Sequence, residues 1–167
     1  IVAILDEAFA GIATAKSNAE QSLRNARKVF TRELANSFIA DYRTSSMEMS
    51  ELFDVASSKR VLKSDWRASG VPFYRGREVT RLSLDGFVDN ELFISEKHFG
   101  ELKKKHGVPS AGDILITAIG TIGNTHIVRE SDHFYFKDAS VLWLKKTSDV
   151  MSEFVNYWLK STRFLDQ

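Results

Sequence analysis

Gly112-Asp113-Ile114-Leu115-Ile116-Thr117-Ala118-Ile119-Gly120-Thr121-Ile122-Gly123-Asn124 is the stretch on which the reading of the fold turns. Ile114, Leu115 and Ile116 form a short apolar run, as in a buried strand. The run enters a turn whose two glycines stand three residues apart. Glycine there lets the backbone take φ > 0 and lets another molecule approach closely. Thr117, Thr121 and Asn124 add small hydroxyl and amide groups. The stretch has no nucleophile–base pair and no set of metal ligands, so its composition suits a docking surface better than a reaction centre.

Working outward, residues 1–40 read as one long helix. Ile1, Leu5, Ala8, Ile12, Ala15 and Ala19 recur at spacings of four and three, a heptad-like seam. The phase then slips, and Leu23, Ala26, Phe30, Leu34 and Phe38 carry the apolar face onward, as at a stutter. A helix of about 38 residues spans roughly 57 Å, more than the width of a small domain. It is therefore expected to project as a coiled-coil arm, with the seam as its pairing face. Alanines on the seam permit close approach of a second helix. The chain opens at Ile1 inside this helical pattern and reads as a fragment.

Polar residues from Asp41 to Ser50 read as a hinge. Beyond it, short elements alternate. Glu51–Ala56 reads as a strand or short turn, and Val71–Arg77 as a strand ending at Gly76. Ser95–His106 reads as a charged helix closed by Gly107. Strands follow at Asp113–Thr117, Thr125–Val128, Phe134–Phe136 and Ser140–Leu144, and helical spacing returns over Ser152–Ser161. Short strands mixed with few helices predict an α+β class. The expected organisation is an arm over 1–40 and a small domain with a mixed or antiparallel sheet over 45–167, incomplete at its C-terminus.

Composition narrows the function classes. There are no cysteines, which excludes a disulfide framework and a zinc–thiolate site and fits a reducing cytoplasm. No stretch is long and apolar enough for a membrane helix, and no signal-peptide pattern opens the chain. His98, His106, His126 and His133 lack metal-ligand spacing. No Gly-x-Ser-x-Gly elbow, phosphate-binding Gly-Lys loop or glycine-rich nucleotide pocket is present. Glu101-Leu102-Lys103 has the Glu-x-Lys form of metal-dependent nucleases, with Asp85 or Asp89 as a second carboxylate. Among Lys103, Lys104 and Lys105 it reads instead as a solvated charge run.

Net charge is +1, but its distribution is uneven. Lys59, Arg60, Lys63, Arg67, Arg75, Arg77 and Arg81 face only Asp65 and Glu78 over residues 59–81. The next twenty residues are acidic. The contrast suggests one basic face on a protein that is not uniformly basic, although charge alone favours an ordinary solvated surface. Lys59, Arg60, Lys63, Arg75 and Arg77 lie near strand or loop ends. Arginine suits bidentate contact with phosphate or a guanine edge, and lysine suits an adaptable phosphate contact. Tyr74, Thr117, Thr121 and Asn124 complete the candidate binding set.

Several segments together resemble the DNA-specificity subunit of type I restriction-modification enzymes. Ile1–Phe9, continuing through Asn25-Ala26-Arg27, is similar to that family's helical region. Phe53-Asp54-Val55-Ala56-Ser57-Ser58-Lys59-Arg60-Val61 is similar to the opening of a target recognition domain. Val71-Pro72-Phe73-Tyr74-Arg75-Gly76-Arg77-Glu78 is similar to a Pro-hydrophobic-x-Arg-Gly segment, and Gly112–Asn124 is the most specific piece. Many relatives carry Arg where this chain has Ala118 and Lys where it has Asn124, so the turn here is expected to shape backbone rather than neutralise phosphate. The resemblance implies a non-catalytic component that reads part of a split site on double-stranded DNA. It implies methyltransferase and restriction subunits as partners, with S-adenosylmethionine, ATP and Mg²⁺ acting on those subunits and no cofactor on this chain. The arm (Ile1, Leu5, Ala8, Ile12, Ala15, Ala19, Leu23 and Phe30) would space the half-sites, dock subunits or self-associate. The alternatives are an assembly module that binds no DNA, and the Mg²⁺-dependent nuclease.

Overall fold

The computed structural model describes residues 2–39 and 47–161. Ile1 of the seam, Asp41–Ser46 of the expected hinge, and Phe164 and Leu165 of the last helical pattern lie outside the described residues. Helix α1 runs over Val2–Ile39. A helical turn, α2 (Met49–Leu52), takes up the end of the stretch read as a hinge and leads into β1 (Phe53–Ala56). Then come β2 (Val71–Tyr74), α3 (Gly76–Asp85), β3 (Phe93–Ile94), α4 (Glu96–His106), β4 (Ile114–Thr117), β5 (Thr125–Ile127), β6 (Tyr135–Phe136), β7 (Val141–Lys146) and α5 (Ser152–Leu159). The class is α+β.

The strands form two sheets. One is antiparallel, in the order β1-β7-β4-β5; the other is mixed, in the order β3-β2-β6, with β2 and β6 parallel. The apolar run Ile114–Ile116 lies at the centre of the first sheet, between β7 and β5. Successive side chains point to opposite faces. Ile114 and Ile116 therefore join Phe53, Leu144, Val155 and Leu159 under α5. Leu115 joins Val79, Phe136, Val141 and Trp143 on the other face, under α3. A third cluster packs Val71, Phe73, Ile94 and Tyr135 against Phe99 and Leu102 of α4. Burial on both faces is why β4 lacks polar alternation.

The sequence reading ends a strand at Gly76, whereas the structure opens α3 there. The cause is local. Glu78, three residues after Arg75, turns its carboxylate back onto the Arg75 amide at 2.8 Å and satisfies an otherwise orphaned helix-start donor. The α4 reading holds within a residue. Ser95 caps its start by accepting from the His98 amide at 3.2 Å. Lys103–His106 stand in its last turn, where cations complement the helix dipole. Glu101 lies on the exposed side of that helix, not on a strand where it would converge with a second carboxylate, and Asp85 is bonded to Arg81 at 3.1 Å. Among the described residues no cluster could hold a metal.

Every side chain from Val2 to Phe30 on α1 is exposed, including Leu5, Ile12 and Leu23 of the seam. Only its later part meets the body of the protein, where Phe30 lies 6.0 Å from the Tyr157 ring of α5. No helix among the described residues is long and apolar enough to cross a membrane.

Asp113 ties the central sheet together. Its buried carboxylate accepts from Trp143 Nε1 (2.8 Å), the Lys146 amide (2.9 Å) and the Ser110 amide (2.8 Å). Asp113→Ala leaves these three donors without their acceptor and is expected to cost about 2–4 kcal/mol. Urea unfolding measures it; a loss below about 1 kcal/mol would show that water replaces the carboxylate at little cost.

Candidate nucleic-acid interface

Three segments singled out in the sequence, and one that was not, meet at one end of the two sheets. Residues 57–60 follow β1, and residues 75–77 carry the chain from β2 into the first turn of α3. Residues 118–124 join β4 to β5, and residues 137–140 join β6 to β7. Backbone and side-chain hydrogen bonds bind the four into one surface. Ser58 Oγ donates to the Phe136 carbonyl at 2.7 Å, and the buried Tyr135 hydroxyl accepts from the Lys59 amide at 2.9 Å. The Lys137 amide donates to the Tyr74 carbonyl at 2.8 Å, and the Ala118 amide to the Ser140 carbonyl at 3.0 Å. Asn124 Nδ2 reaches Thr80 Oγ1 of α3 at 3.3 Å.

The Gly120–Gly123 turn is fastened from inside. Thr117 is 1 % exposed. Its hydroxyl donates to the Thr121 carbonyl (2.5 Å) and accepts from the Asn124 amide (3.0 Å). Gly120 (φ 82°) and Gly123 (φ 87°) both take the left-handed conformation that side chains disfavour. The result presents Ile119 and Ile122 to solvent, 62 % and 69 % exposed. Thr117 is thus a fastener and Asn124 a brace to α3, leaving Thr121 as the exposed polar side chain of the three. Tyr74 is also placed away from solvent, stacked on Phe134 with centroids 4.4 Å apart. Burial and the Asp132 charge push its phenol pKa up.

Two arginines are organised by one buried carboxylate. Glu78 is 1 % exposed and accepts from Arg75 Nε and NH2 (3.1 and 2.9 Å) and from Arg77 Nε (2.8 Å). Burial raises the Glu78 pKa, but hydrogen bonds from the Arg75 side chain, the Arg75 backbone and Arg77 outweigh it, and the net value is lowered. The Glu78 hydrogen bond in turn raises Arg75. Glu91 adds an exposed carboxylate 3.1 Å from Arg77 NH1 and 3.9 Å from Arg75 NH2. Lys59 and Arg60 are exposed and carry no ion pair among the described residues. Lys63 stands in a 3₁₀ turn (Lys63–Asp65), apart from the hydrogen bonds that join the four loops.

Sequence reading missed the fourth loop. Lys137 is exposed there, and Ala139 has φ 60°, uncommon for a residue with a side chain. The Ser140 hydroxyl is buried without a hydrogen-bond partner. The loop joins the surface only because β6 pairs in parallel with β2 across a long separation, which no local pattern announces. Ile119 and Ile122 were visible as apolar residues in a polar turn, but nothing local shows that they face outward.

This geometry has counterparts. No protein-family model matches the chain. A Haemophilus influenzae protein described as "Putative type I restriction enzyme specificity subunit S.HindORF215P" is 31% identical over 120 residues. The chain is a relative of type I restriction enzyme specificity subunits. The match takes in 71% of this chain but 29% of that specificity subunit, so the chain spans less than a third of its length. Two solved structures share the fold. The type I restriction-modification S subunit from M. genitalium aligns with TM-score 0.54 and 15% identity over 86% of this chain and 36% of that one. A chain from a structure concerning complex assembly and conformational transition of the type I R-M system aligns with TM-score 0.51 and 14% identity, over 92% and 40%.

Because the Glu78 pKa is lowered on folding, its stabilisation is present above its ordinary value near 4.5 and is lost as pH falls through the folded value. Glu78→Gln is expected to cost about 2–4 kcal/mol at pH 7. The gap to the parent should narrow below about pH 4.5. Denaturant titrations from pH 7 to pH 3 test this, and a gap constant with pH contradicts it.

Proposed function

We propose that the chain is a non-catalytic DNA-recognition module of a type I specificity subunit, with α1 as its assembly arm. The observation that carries this is the meeting of the four loops on one surface, which holds Lys59, Arg60, Lys137 and Thr121 exposed around the glycine turn. Such a surface can position a duplex through its phosphates and read base edges with the side chains between. Arg75 and Arg77 join it as an ordered pair at the start of α3. The glycine turn, lacking charge at Ala118 and Asn124, supplies backbone shape.

The reading divides the chain into an arm over 1–40 and a recognition domain over 45–167. The exposed seam supports pairing of the arm with a second helix, from another copy or another part of the same subunit. It also supports docking of methyltransferase and restriction subunits, which would carry the cofactors and the chemistry. The cytoplasm is the compartment this work requires.

The test is fluorescence anisotropy of the chain with a labelled duplex over a range of salt. Lys59→Ala with Arg60→Ala should weaken binding and flatten the dependence of log K on log salt by about 0.9 for each phosphate contact removed. Unchanged affinity and slope would remove this loop from the interface. If the parent chain binds no duplex at low salt, an assembly module without DNA binding is the better description.

Glu91 sits where a phosphate would compete for the same arginines. Glu91→Gln should therefore raise duplex affinity at low salt and steepen the salt dependence. Equal affinities for parent and variant would show that Arg75 and Arg77 do not contact the duplex.

A further inference from the structure

Beside the interface, β5, α3 and α5 enclose a cleft of about 250 Å³ lined by none of the recognition residues discussed above. Two cations line it, neither of them ion-paired among the described residues. Lys160, just past α5, is half-buried and has no ion pair among the described residues. Burial lowers its pKa. The Arg129 side chain is likewise without an ion pair. The Asp132 carboxylate, which does not line the cleft, is already engaged. Asp132 accepts from His126 Nε2 at 2.8 Å and from the Arg129 amide at 3.0 Å.

Arg129 and Lys160 each lower the pKa of the buried His126, adding to desolvation and opposing Asp132. Neutral donors complete the wall. Asn156 receives the Thr125 hydroxyl on Oδ1 and has no partner for its amide hydrogens among the described residues, and Ser83 adds a hydroxyl. Glu153 is the only carboxylate among the lining residues, and it is exposed. A half-buried ammonium and an exposed guanidinium, neither ion-paired among the described residues, leave the cleft positive and open to an anion.

We infer that this cleft is an oxyanion site that takes one phosphate group between Arg129 and Lys160, with Asn156 and Ser83 as neutral donors. Guanidinium supplies a fork and ammonium a point charge, the pair of donors a tetrahedral oxyanion uses well. A DNA phosphodiester and free phosphate present the same chemistry. Thr125 directly follows the glycine turn, so the cleft opens where that loop returns. A duplex on the four loops would have a backbone phosphate within reach, and only this DNA source rests on the function proposed above.

The test is titration of the full chain with inorganic phosphate at constant ionic strength, followed by NMR of the His126 ring and the Asn156 side-chain amide. Saturable shifts that chloride does not reproduce are expected. Arg129→Gln and Lys160→Gln should each weaken phosphate binding by about tenfold, the effect of one charge-assisted hydrogen bond. Glu153→Gln should strengthen it, which keeps the test open should a cation variant fail to fold. No saturable shift, or the same binding in all three variants, overturns the site. A duplex titration then separates the sources. A salt slope lowered by about one in Arg129→Gln/Lys160→Gln assigns the phosphate to a DNA backbone. An unchanged slope with phosphate binding intact in the parent assigns it to the free ion. If the parent binds no duplex, the recognition reading fails while the phosphate titration still decides the cleft.

Discussion

Burial of β4 on both faces is the constraint from which the rest of the body follows. Ile114 and Ile116 fill the core beneath α5, and Leu115 fills the core beneath α3. A shift of one residue would exchange those faces and set Leu115 against α5. The register with β7 and β5 is therefore held from two sides at once. Asp113 adds a polar lock where the strand begins, and Thr117 adds another where it ends. The glycine turn thus stands on a rigid stalk, and its exposed side chains inherit their positions from the core.

Charge is arranged more sparingly than the run of arginines implies. Glu78 is buried for its capping role, and the same carboxylate gathers Arg75 and Arg77. Both arginines are therefore held in place but partly neutralised, whereas Lys59 and Arg60 are exposed and carry no ion pair among the described residues. A surface of this kind divides labour between fixed forks, which favour defined geometry, and adaptable cations, which favour attraction at a distance.

Much of this was legible in the residues. The long helix followed from its heptad spacing and lack of proline, and α4 from its charged run and closing Gly107. The strand at Ile114–Thr117 followed from its apolar run, and the turn after it from its two glycines. What escaped depended on partners distant in the chain. Gly76 reads locally as a strand stop, and only Glu78 folding back on Arg75 makes it a helix start. Tyr74 reads as a polar aromatic beside an arginine, yet Phe134 takes its ring into the core. The 137–140 loop carries no motif, and its place is set wholly by the pairing of β6 with β2.

That parallel pair has a kinetic consequence. Phe73 lies opposite Tyr135, and Tyr74 opposite Phe136, across some sixty residues of intervening chain. No hairpin can make such a contact, and the loop-closure entropy falls due before any of its hydrogen bonds form. The first sheet has the same habit, since β1 pairs with β7. Folding of the body is therefore dominated by non-local contacts. The four-loop surface exists only once nearly the whole body has closed, and a peptide carrying the glycine turn alone would hold the motif without the surface around it.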